Sequence, residues 1–296
     1  MKAALLPDRG VVKVAGDDAH KFLNGLVTAD IGKVTPETAC FAALLTPQGK
    51  IIADFIVAEV PPEDGAGLFL DCPGALTSTL VGRLNFYKLR AKVIVEDLSE
   101  ALVVLAVWDG KGATECGLVY DDPRLKALGQ RVMLPPHLAL EATAELGASF
   151  VDPGTYEAHR IALGIPRGGL DFIYGEAFPH ETDMDQFGGI DFEKGCYVGQ
   201  EVVSRVEHRG TARNRVVPVT FEAFAPEAGT PVTAGERAVG TMGSSARGRG
   251  LAMLRLDRVA DAFAAGLPLT AGGVEIRPVK PDWARFAWPD DATAAE

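Results

Sequence analysis

The chain has 296 residues, of which 47% are hydrophobic and 23% are charged. This is the composition of an ordinary globular protein with enough apolar residues for a sizeable core, and the length predicts about two domains. Lysine and arginine number 29 against 40 acidic residues, so the formal net charge is −11. Because a nucleic-acid-binding surface is usually basic, we expect no direct nucleic-acid partner.

The four cysteines are widely spaced, at Cys40, Cys72, Cys116 and Cys196. None belongs to a Cys-x-x-Cys pair, so the spacing predicts no metal site of the zinc-knuckle or ferredoxin kind. No uninterrupted apolar run reaches the ~20 residues of a membrane span, and the N-terminal apolar run is too short for a signal peptide. These features predict a cytoplasmic protein with free thiols and no membrane partner.

Strands and helices alternate irregularly over the first 212 residues. Apolar runs predict strands at 11–14, 41–45 and 51–60, and the Thr-Pro-Gln-Gly segment at 46–49 has the residue types of a tight turn. Helical spacing of apolar residues predicts helices at 17–24, 74–87, 121–128, 138–146, 155–163 and 200–208. Because hairpins interrupt the alternation, we predict an α+β fold and not a doubly wound sheet.

After Gly210 short strands dominate, and glycine and proline separate them. This texture is typical of a small β-barrel or sandwich. The predicted strands cover 215–221, 231–233, 238–242, 250–255 and 274–279. We therefore divide the chain into an α+β region at 1–212, a C-terminal β-barrel at 213–288 and a disordered tail at 289–296.

The octet from Lys194 to Glu201 combines a cation, a thiol, an aromatic ring and two glycines, just before the helix predicted at 200–208. In an extended segment the side chains of Lys194 and Cys196 point to the same face. The ammonium, together with the positive end of the following helix, then favours the thiolate. The alternative is a buried, unreactive thiol in a tight loop, which is how most free cysteines behave.

The octet resembles the signature of the folate-binding YgfZ family, which comprises iron–sulfur cluster assembly relatives of the glycine-cleavage T-protein. The related T-protein segment reads Lys-Gly-Asp-Phe-apolar-Gly-Arg-Glu. The residues here that match this frame are Lys194, Gly195, Tyr197, Gly199 and Glu201. Cys196 replaces the acid and Gln200 replaces the arginine, and both changes favour YgfZ over T-protein.

The resemblance implies two related α+β subdomains that form a folate-binding region, arranged in a ring with the barrel. The central opening would hold tetrahydrofolate or a one-carbon-substituted folate. Tyr156 and Arg160 match an aromatic and a polar position of the family, and Glu181 is the candidate for the pterin edge. Gln48 in the hairpin is a further candidate for the pocket lining. Without the resemblance, a structural role for this pair, with a buried tyrosine beside an exposed arginine, would be favoured.

The function implied by the resemblance is that of a folate-binding accessory factor for assembly or repair of iron–sulfur proteins, including tRNA-modifying radical enzymes. Cys196 would be its reactive thiol, with Lys194 as the activating cation, and its partners would be iron–sulfur client or assembly proteins. Two alternatives remain open at this point: a folate-dependent aminomethyltransferase-like enzyme, and a non-catalytic folate-binding module. Asp71 stands near the T-protein asparagine position and no acid follows it before the helix, which disfavours aminomethyl transfer.

Overall fold

A computed structural model describes residues 1–61, 65–210, 212–222 and 224–289. The chain forms two compact units that interleave along the sequence. The first unit comprises Met1–Tyr156 and Phe187–Glu201, and the second comprises Glu157–Gln186 and the residues from Val202 onward. Within the described ranges, no helix has both the length and the apolar character needed to cross a bilayer.

Among its described residues, the first unit contains ten strands and the first helices of the chain. In chain order these are β1 (Lys2–Leu5), β2 (Arg9–Ala15), α1 (Ala19–Asn24), β3 (Cys40–Leu45), β4 (Ile51–Glu59), β5 (Leu68–Pro73), α2 (Thr77–Lys88), β6 (Ile94–Asp97), β7 (Val103–Trp108), β8 (Leu118–Asp121), β9 (Gln130–Leu134), α3 (Ala139–Glu145), β10 (Ser149–Phe150) and α4 (Pro153–Leu163). Helix α4 begins in this unit and continues into the second.

The ten strands form two five-stranded sheets, in the orders β3-β4-β5-β2-β6 and β10-β1-β7-β9-β8. All pairs are antiparallel except β1 with β10. On the first sheet, Leu80 and Leu84 of α2 are one helical turn apart and join Leu23 of α1 in a buried core. Two sheet-and-helix subdomains are therefore present, as the sequence predicts.

A buried carboxylate, Asp71 of β5, links the two sheets. It accepts hydrogen bonds from Arg9 Nε at 2.6 Å on its own sheet, and from Tyr120 Oη at 3.0 Å and Arg131 on the other sheet. Burial alone would raise the pKa of Asp71, but Arg131 and Arg9 outweigh this effect and hold it below its usual range. Arg131 also pairs with Asp122. Because loss of one partner from a buried ion pair costs about 3–5 kcal/mol, this network fixes how the sheets meet.

The helix predicted at 121–128 is wrong. Strand β8 ends at Asp121, and only a short 3₁₀ turn, Lys126–Leu128, follows it. The Asp122 carboxylate accepts a hydrogen bond from the backbone N–H of Arg124 at 3.1 Å. Such a local side-chain bond gives the backbone an alternative to the helix, which apolar periodicity does not reveal.

The second unit is built around a closed six-stranded barrel in the order β11-β14-β13-β12-β15-β16. Its remaining elements are α5 (Gln200–Arg209), β11 (Asn214–Thr220), β12 (Pro231–Ala234), β13 (Arg237–Ala246), β14 (Arg249–Arg255), α6 (Leu256–Ala264), β15 (Leu269–Ala271) and β16 (Val274–Pro278). The barrel confirms the predicted architecture, whereas α6 and the short strand β15 were not predicted. Trp288 packs in the barrel core. The boundaries at 212 and 288 stay predictions, and of the predicted tail only Pro289 lies within the described residues.

Candidate functional site

The ammonium of Lys194 is held by three backbone carbonyls of the first unit. Its Nζ lies 2.8 Å from the carbonyl oxygens of Asn24 and Val27, and 2.6 Å from that of Ala29. Asn24 is the last residue of α1, where helical carbonyl groups lack intrahelical partners, and Val27 and Ala29 lie in the segment that follows. An ammonium has three N–H donors, so all of them are used here. Lys194 thus ties the octet to the segment after α1.

Burial lowers the pKa of Lys194 to about 8, against the carboxylates of Asp30 and Asp191, which raise it. The three carbonyl contacts also favour the charged form, since a neutral amine has only two N–H donors. Lys194 therefore serves first as a structural cation. The predicted action of this cation on the Cys196 thiol stays a prediction.

The turn that leads into the octet is held by Asp191. Its Oδ1 accepts from the backbone N–H groups of Glu193 and Lys194 at 2.9 and 3.0 Å. Its own N–H donates to the carbonyl of Thr28 at 2.9 Å, and the Thr28 hydroxyl donates to the carbonyl of Gly189 at 2.6 Å. A short aspartate that bonds N–H groups two and three residues later favours such a turn. These hydrogen bonds therefore fix the backbone of the loop just before Cys196.

The end of the octet packs on the hairpin between β3 and β4. Gly199 has a φ of +82°, and a Cβ there would lie 2.7 Å from the carbonyl oxygen of Thr46. Only glycine combines this conformation with so close an approach. The Tyr197 ring is buried, with Lys194 Nζ 5.4 Å from its centroid. The hairpin and the octet, which are both sequence motifs, thus meet in one place.

Of the four cysteines, all of which lie in described ranges, Cys196 alone is exposed. Cys72 is buried, and Cys40 is partly buried. Burial raises the pKa of the Cys40 and Cys72 thiols to about 12. Since the thiolate is the reactive form, these two thiols are poor nucleophiles at neutral pH.

Cys116 is partly buried and lies 3.5 Å from a carboxylate oxygen of Glu145. Against the lowering effect of the Thr114 hydroxyl, burial and Glu145 raise the pKa of this thiol. Cys196 therefore differs from the other three thiols in its exposure.

Sequence reasoning missed the relation between Lys194 and Cys40. The positive charge of Lys194 lowers the pKa of Cys40, although burial outweighs it. The two residues are far apart in sequence, and Cys40 begins a strand without any motif around it. No local signal could have indicated this proximity.

Tyr156 and Arg160 lie one turn apart on α4, as predicted. The Tyr156 ring is buried and meets Trp108 edge to face, with centroids 5.4 Å apart. Arg160 is only 3% exposed, in contrast to the exposed arginine considered from the sequence. The groups that accept hydrogen bonds from its guanidinium are Glu157, Ile165, Asp171 and Ser244. This arrangement gives Arg160 a structural role within the second unit.

Glu181 also has internal partners in the second unit. Its Oε2 accepts from the Phe178 N–H at 2.8 Å, and its Oε1 accepts from Asn214 Nδ2 at 2.9 Å. Gln48 is exposed in the hairpin. The first unit thus contains Lys194, Cys196, Tyr156 and Gln48, and the second contains Arg160 and Glu181. The side chains of Arg160 and Glu181 are already committed to protein contacts, so their folate roles stay predictions.

The fold and the barrel define a class of protein. Residues 213–286 match the model of the family described as "CAF17, C-terminal beta-barrel domain". The structure is similar to that of the glycine cleavage system aminomethyltransferase T from Bartonella henselae, with a TM-score of 0.72 and 14% sequence identity. The similarity covers 97% of this chain and 87% of that one. The protein therefore has the aminomethyltransferase T fold, with two α+β subdomains and a C-terminal barrel.

Sequence relatives narrow this class to one family. The chain is 31% identical to the mitochondrial iron–sulfur cluster assembly factor IBA57 of Mus musculus over 86% of its own length and 77% of the relative's. The corresponding homolog of Pyricularia oryzae is 31% identical over 90% and 75%. The homolog of Mycosarcoma maydis is 37% identical over 78% of this chain, but only 59% of that relative is spanned. The chain belongs to the IBA57 family.

These relatives correct one expectation from the sequence. The prediction of a cytoplasmic location is wrong, because the relatives from mouse and from both fungi are named mitochondrial proteins. Absence of a recognisable signal peptide and of a membrane span was the reason for that prediction, and neither feature distinguishes the cytoplasm from the mitochondrion.

We predict that Cys196 reacts with iodoacetamide near pH 7 faster than the other three thiols in the native protein. It is exposed, whereas burial or a nearby carboxylate raises the pKa of the others. Peptide mass spectrometry at timed intervals measures each rate, and urea-unfolded protein provides the rates without structure. Equal labelling of Cys116 and Cys196 in the folded protein would contradict the prediction.

We predict that Lys194→Met lowers the free energy of unfolding by about 2–4 kcal/mol, because three carbonyls lose their donor. The matched control is Lys33→Met. It removes an ammonium that is 66% exposed and that pairs with Asp191, a residue of the loop that leads into the octet. Solvent screens that pair, so its loss is much smaller. Urea unfolding followed by circular dichroism measures both variants, and equal losses would show that the carbonyl contacts contribute little.

Proposed function

We propose that this protein is an assembly factor for iron–sulfur proteins and that Cys196 contacts the cluster during delivery. Membership of the IBA57 family supports the role, because its relatives are named iron–sulfur cluster assembly factors. The observation that carries the proposal for Cys196 is its exposure on a loop held by Lys194 and Asp191. An exposed thiol on a fixed loop can approach a cluster on a second protein without local unfolding.

The chemistry required is ligand exchange at iron, with the cluster as cargo. The Cys196 thiol releases its proton to solvent, and its sulfur forms a bond to a cluster iron. In the same exchange, that iron loses its bond to a thiolate of the donor protein, which takes up a proton. No electron is transferred. Thiolates are the ligands that iron–sulfur clusters prefer, so this exchange is close to neutral in bond energy.

The test uses a strain in which the gene for this protein is deleted and a variant is supplied in its place. We expect the Cys196→Ser variant to leave a [4Fe–4S]-dependent enzyme inactive in this strain. Serine keeps the size of the side chain but removes the soft sulfur ligand. Cys116→Ser is the matched control, since it makes the same change at a partly buried thiol. Enzyme activity in extracts is measured at equal amounts of each variant by immunoblot. Wild-type activity with Cys196→Ser would refute the thiol role.

We further propose tetrahydrofolate as a ligand, as in the YgfZ family, and tRNA-modifying radical enzymes among the clients. Both proposals derive from the resemblance of the octet and of Tyr156 to that family. In the first unit Tyr156 packs edge to face against the buried Trp108, which fixes the orientation of the ring that the resemblance assigns to the ligand. Replacement of the T-protein acid by Cys196 argues against the alternative of aminomethyl transfer.

We expect tetrahydrofolate to raise the melting temperature of the protein, because a ligand that binds only the folded state stabilises it. Tyr156→Ala is expected to weaken binding by about 1–2 kcal/mol through loss of an aromatic contact. The buried tyrosine also contributes to folding, so Tyr120→Phe, which alters another buried tyrosine, controls for a general loss of stability. Calorimetry under anaerobic conditions measures affinity, and no binding at millimolar folate would exclude the ligand.

A further inference from the structure

The second unit contains a cluster of three potential metal ligands outside the octet. His180 lies in a 3₁₀ turn, Pro179–Thr182, Asp185 follows that turn, and Glu207 projects from α5. One ligand atom from each residue lies within 4.8 Å of the other two. His180 Nε2 is 3.0 Å from a Glu207 carboxylate oxygen. His180 is only 2% exposed, so packing against its neighbours holds the ring in place.

An arginine orients one of the carboxylates. Arg215 donates to both oxygens of Asp185, at 2.6 and 2.9 Å, and to Asp183 Oδ1 at 3.1 Å. It also donates to the carbonyl of His180 at 2.8 Å. Gln186 Nε2 also donates to Asp185 Oδ2, at 2.6 Å, so the second lone pair of Oδ1 is the one that can bind a cation. Hydrogen-bonded carboxylates of this kind are usual around metal ions.

A second, independent feature is the fully buried Asp183 beside this pair. Its Oδ2 has no hydrogen-bond partner among the described residues. The carboxylates of Asp183 and Asp185 thus share one guanidinium, and Glu207 adds a third carboxylate beside His180. A buried, unsatisfied acceptor in a cluster with excess negative charge indicates that a cation or its bound water completes the site.

A cavity of about 480 Å³ gives access to the cluster. His180, Glu207 and Arg215 line it on one side, and Phe286 and Trp288 line it on the other. The volume exceeds what a metal ion and its waters occupy, so a small ligand can enter beside the ion. Glu207 is 45% exposed and moves most easily of the three candidate ligands.

We propose that His180, Asp185 and Glu207 bind a divalent first-row transition metal ion. One imidazole and two carboxylates form a mixed nitrogen and oxygen set that suits Fe²⁺, Mn²⁺, Co²⁺ or Zn²⁺ better than Mg²⁺ or Ca²⁺. Two ligands on opposite sides of such an ion are about 4.2 Å apart, since each bond is near 2.1 Å. The three candidate ligand atoms, which all lie within 4.8 Å of one another, are therefore close to the spacing that a bound ion needs.

The metal site is separate from the thiol proposed to handle clusters, so the two proposals fail independently. Co²⁺ is the probe, because its visible absorption reports the ligands and the coordination number. The parent protein is the full chain with Cys196→Ser, which removes the exposed thiol as a competing ligand. We expect stoichiometric Co²⁺ binding without the charge-transfer absorption of a cobalt–thiolate bond. Calorimetry gives the affinity, and Zn²⁺ competition tests for a shared site.

The decisive variant is Glu207→Gln, which keeps the shape of a half-exposed side chain. We expect it to weaken Co²⁺ binding by more than the roughly 10–100-fold that loss of an outer-shell partner costs. Glu236→Gln, an equivalent change at an exposed position of the barrel, is the matched control and keeps full affinity. His180→Gln tests the nitrogen ligand, and its melting curve with and without Co²⁺ separates misfolding from lost binding.

Two results would overturn the proposal. In the first, Glu207→Gln and Glu236→Gln bind Co²⁺ equally well. In the second, binding is lost with Glu145→Gln and shows thiolate absorption, which would assign the metal to the surface cluster of Cys116, Glu141 and Glu145. A change in the cobalt spectrum in Glu207→Gln, with binding retained at lower affinity, supports the assigned ligand set.

Discussion

The contact between the Lys194 ammonium and three backbone carbonyls determines where the octet lies. The ammonium has three N–H donors, and each carbonyl accepts one of them. Lys194 reaches Asn24, Val27 and Ala29, more than 160 positions earlier in the chain. The segment after α1 leaves these carbonyls without helical partners, so the cation satisfies both sides of the contact. Lys194 is held against these carbonyls, and the loop then continues along the surface. Cys196, two positions later in the chain, is exposed for this reason.

Three of the four thiols lie in environments that disfavour the reactive thiolate. Cys40 and Cys72 pack in or against the core of the first sheet, and Cys116 lies beside a carboxylate. Each environment disfavours the thiolate of these three residues. Among the four cysteines, the fold thus leaves Cys196 as the exposed thiol.

Local patterns predicted much of the fold because its turns have strong residue preferences. The hairpin at 46–49 and the glycine-separated barrel strands were correct, and so were helices with clear apolar spacing such as α2 and α4. The helix at 121–128 was not, because a side-chain bond from Asp122 replaced it. Partners distant in sequence were also beyond prediction. The acceptors of Lys194 and the burial of Arg160 depend on tertiary packing, and both residues look like exposed cations in the sequence.

The contact between Gly199 and the carbonyl of Thr46 limits how the octet can be reused. A side chain at that position would collide with the hairpin backbone, and the positive φ would add strain. The conformation of the octet therefore depends on the rest of the chain, because its second half packs against the β3–β4 hairpin. Transplanting the eight residues into an unrelated scaffold would not reproduce the presentation of the thiol. A functional graft must carry the β3–β4 hairpin and the segment after α1 as well, which makes the transferable unit a discontinuous one.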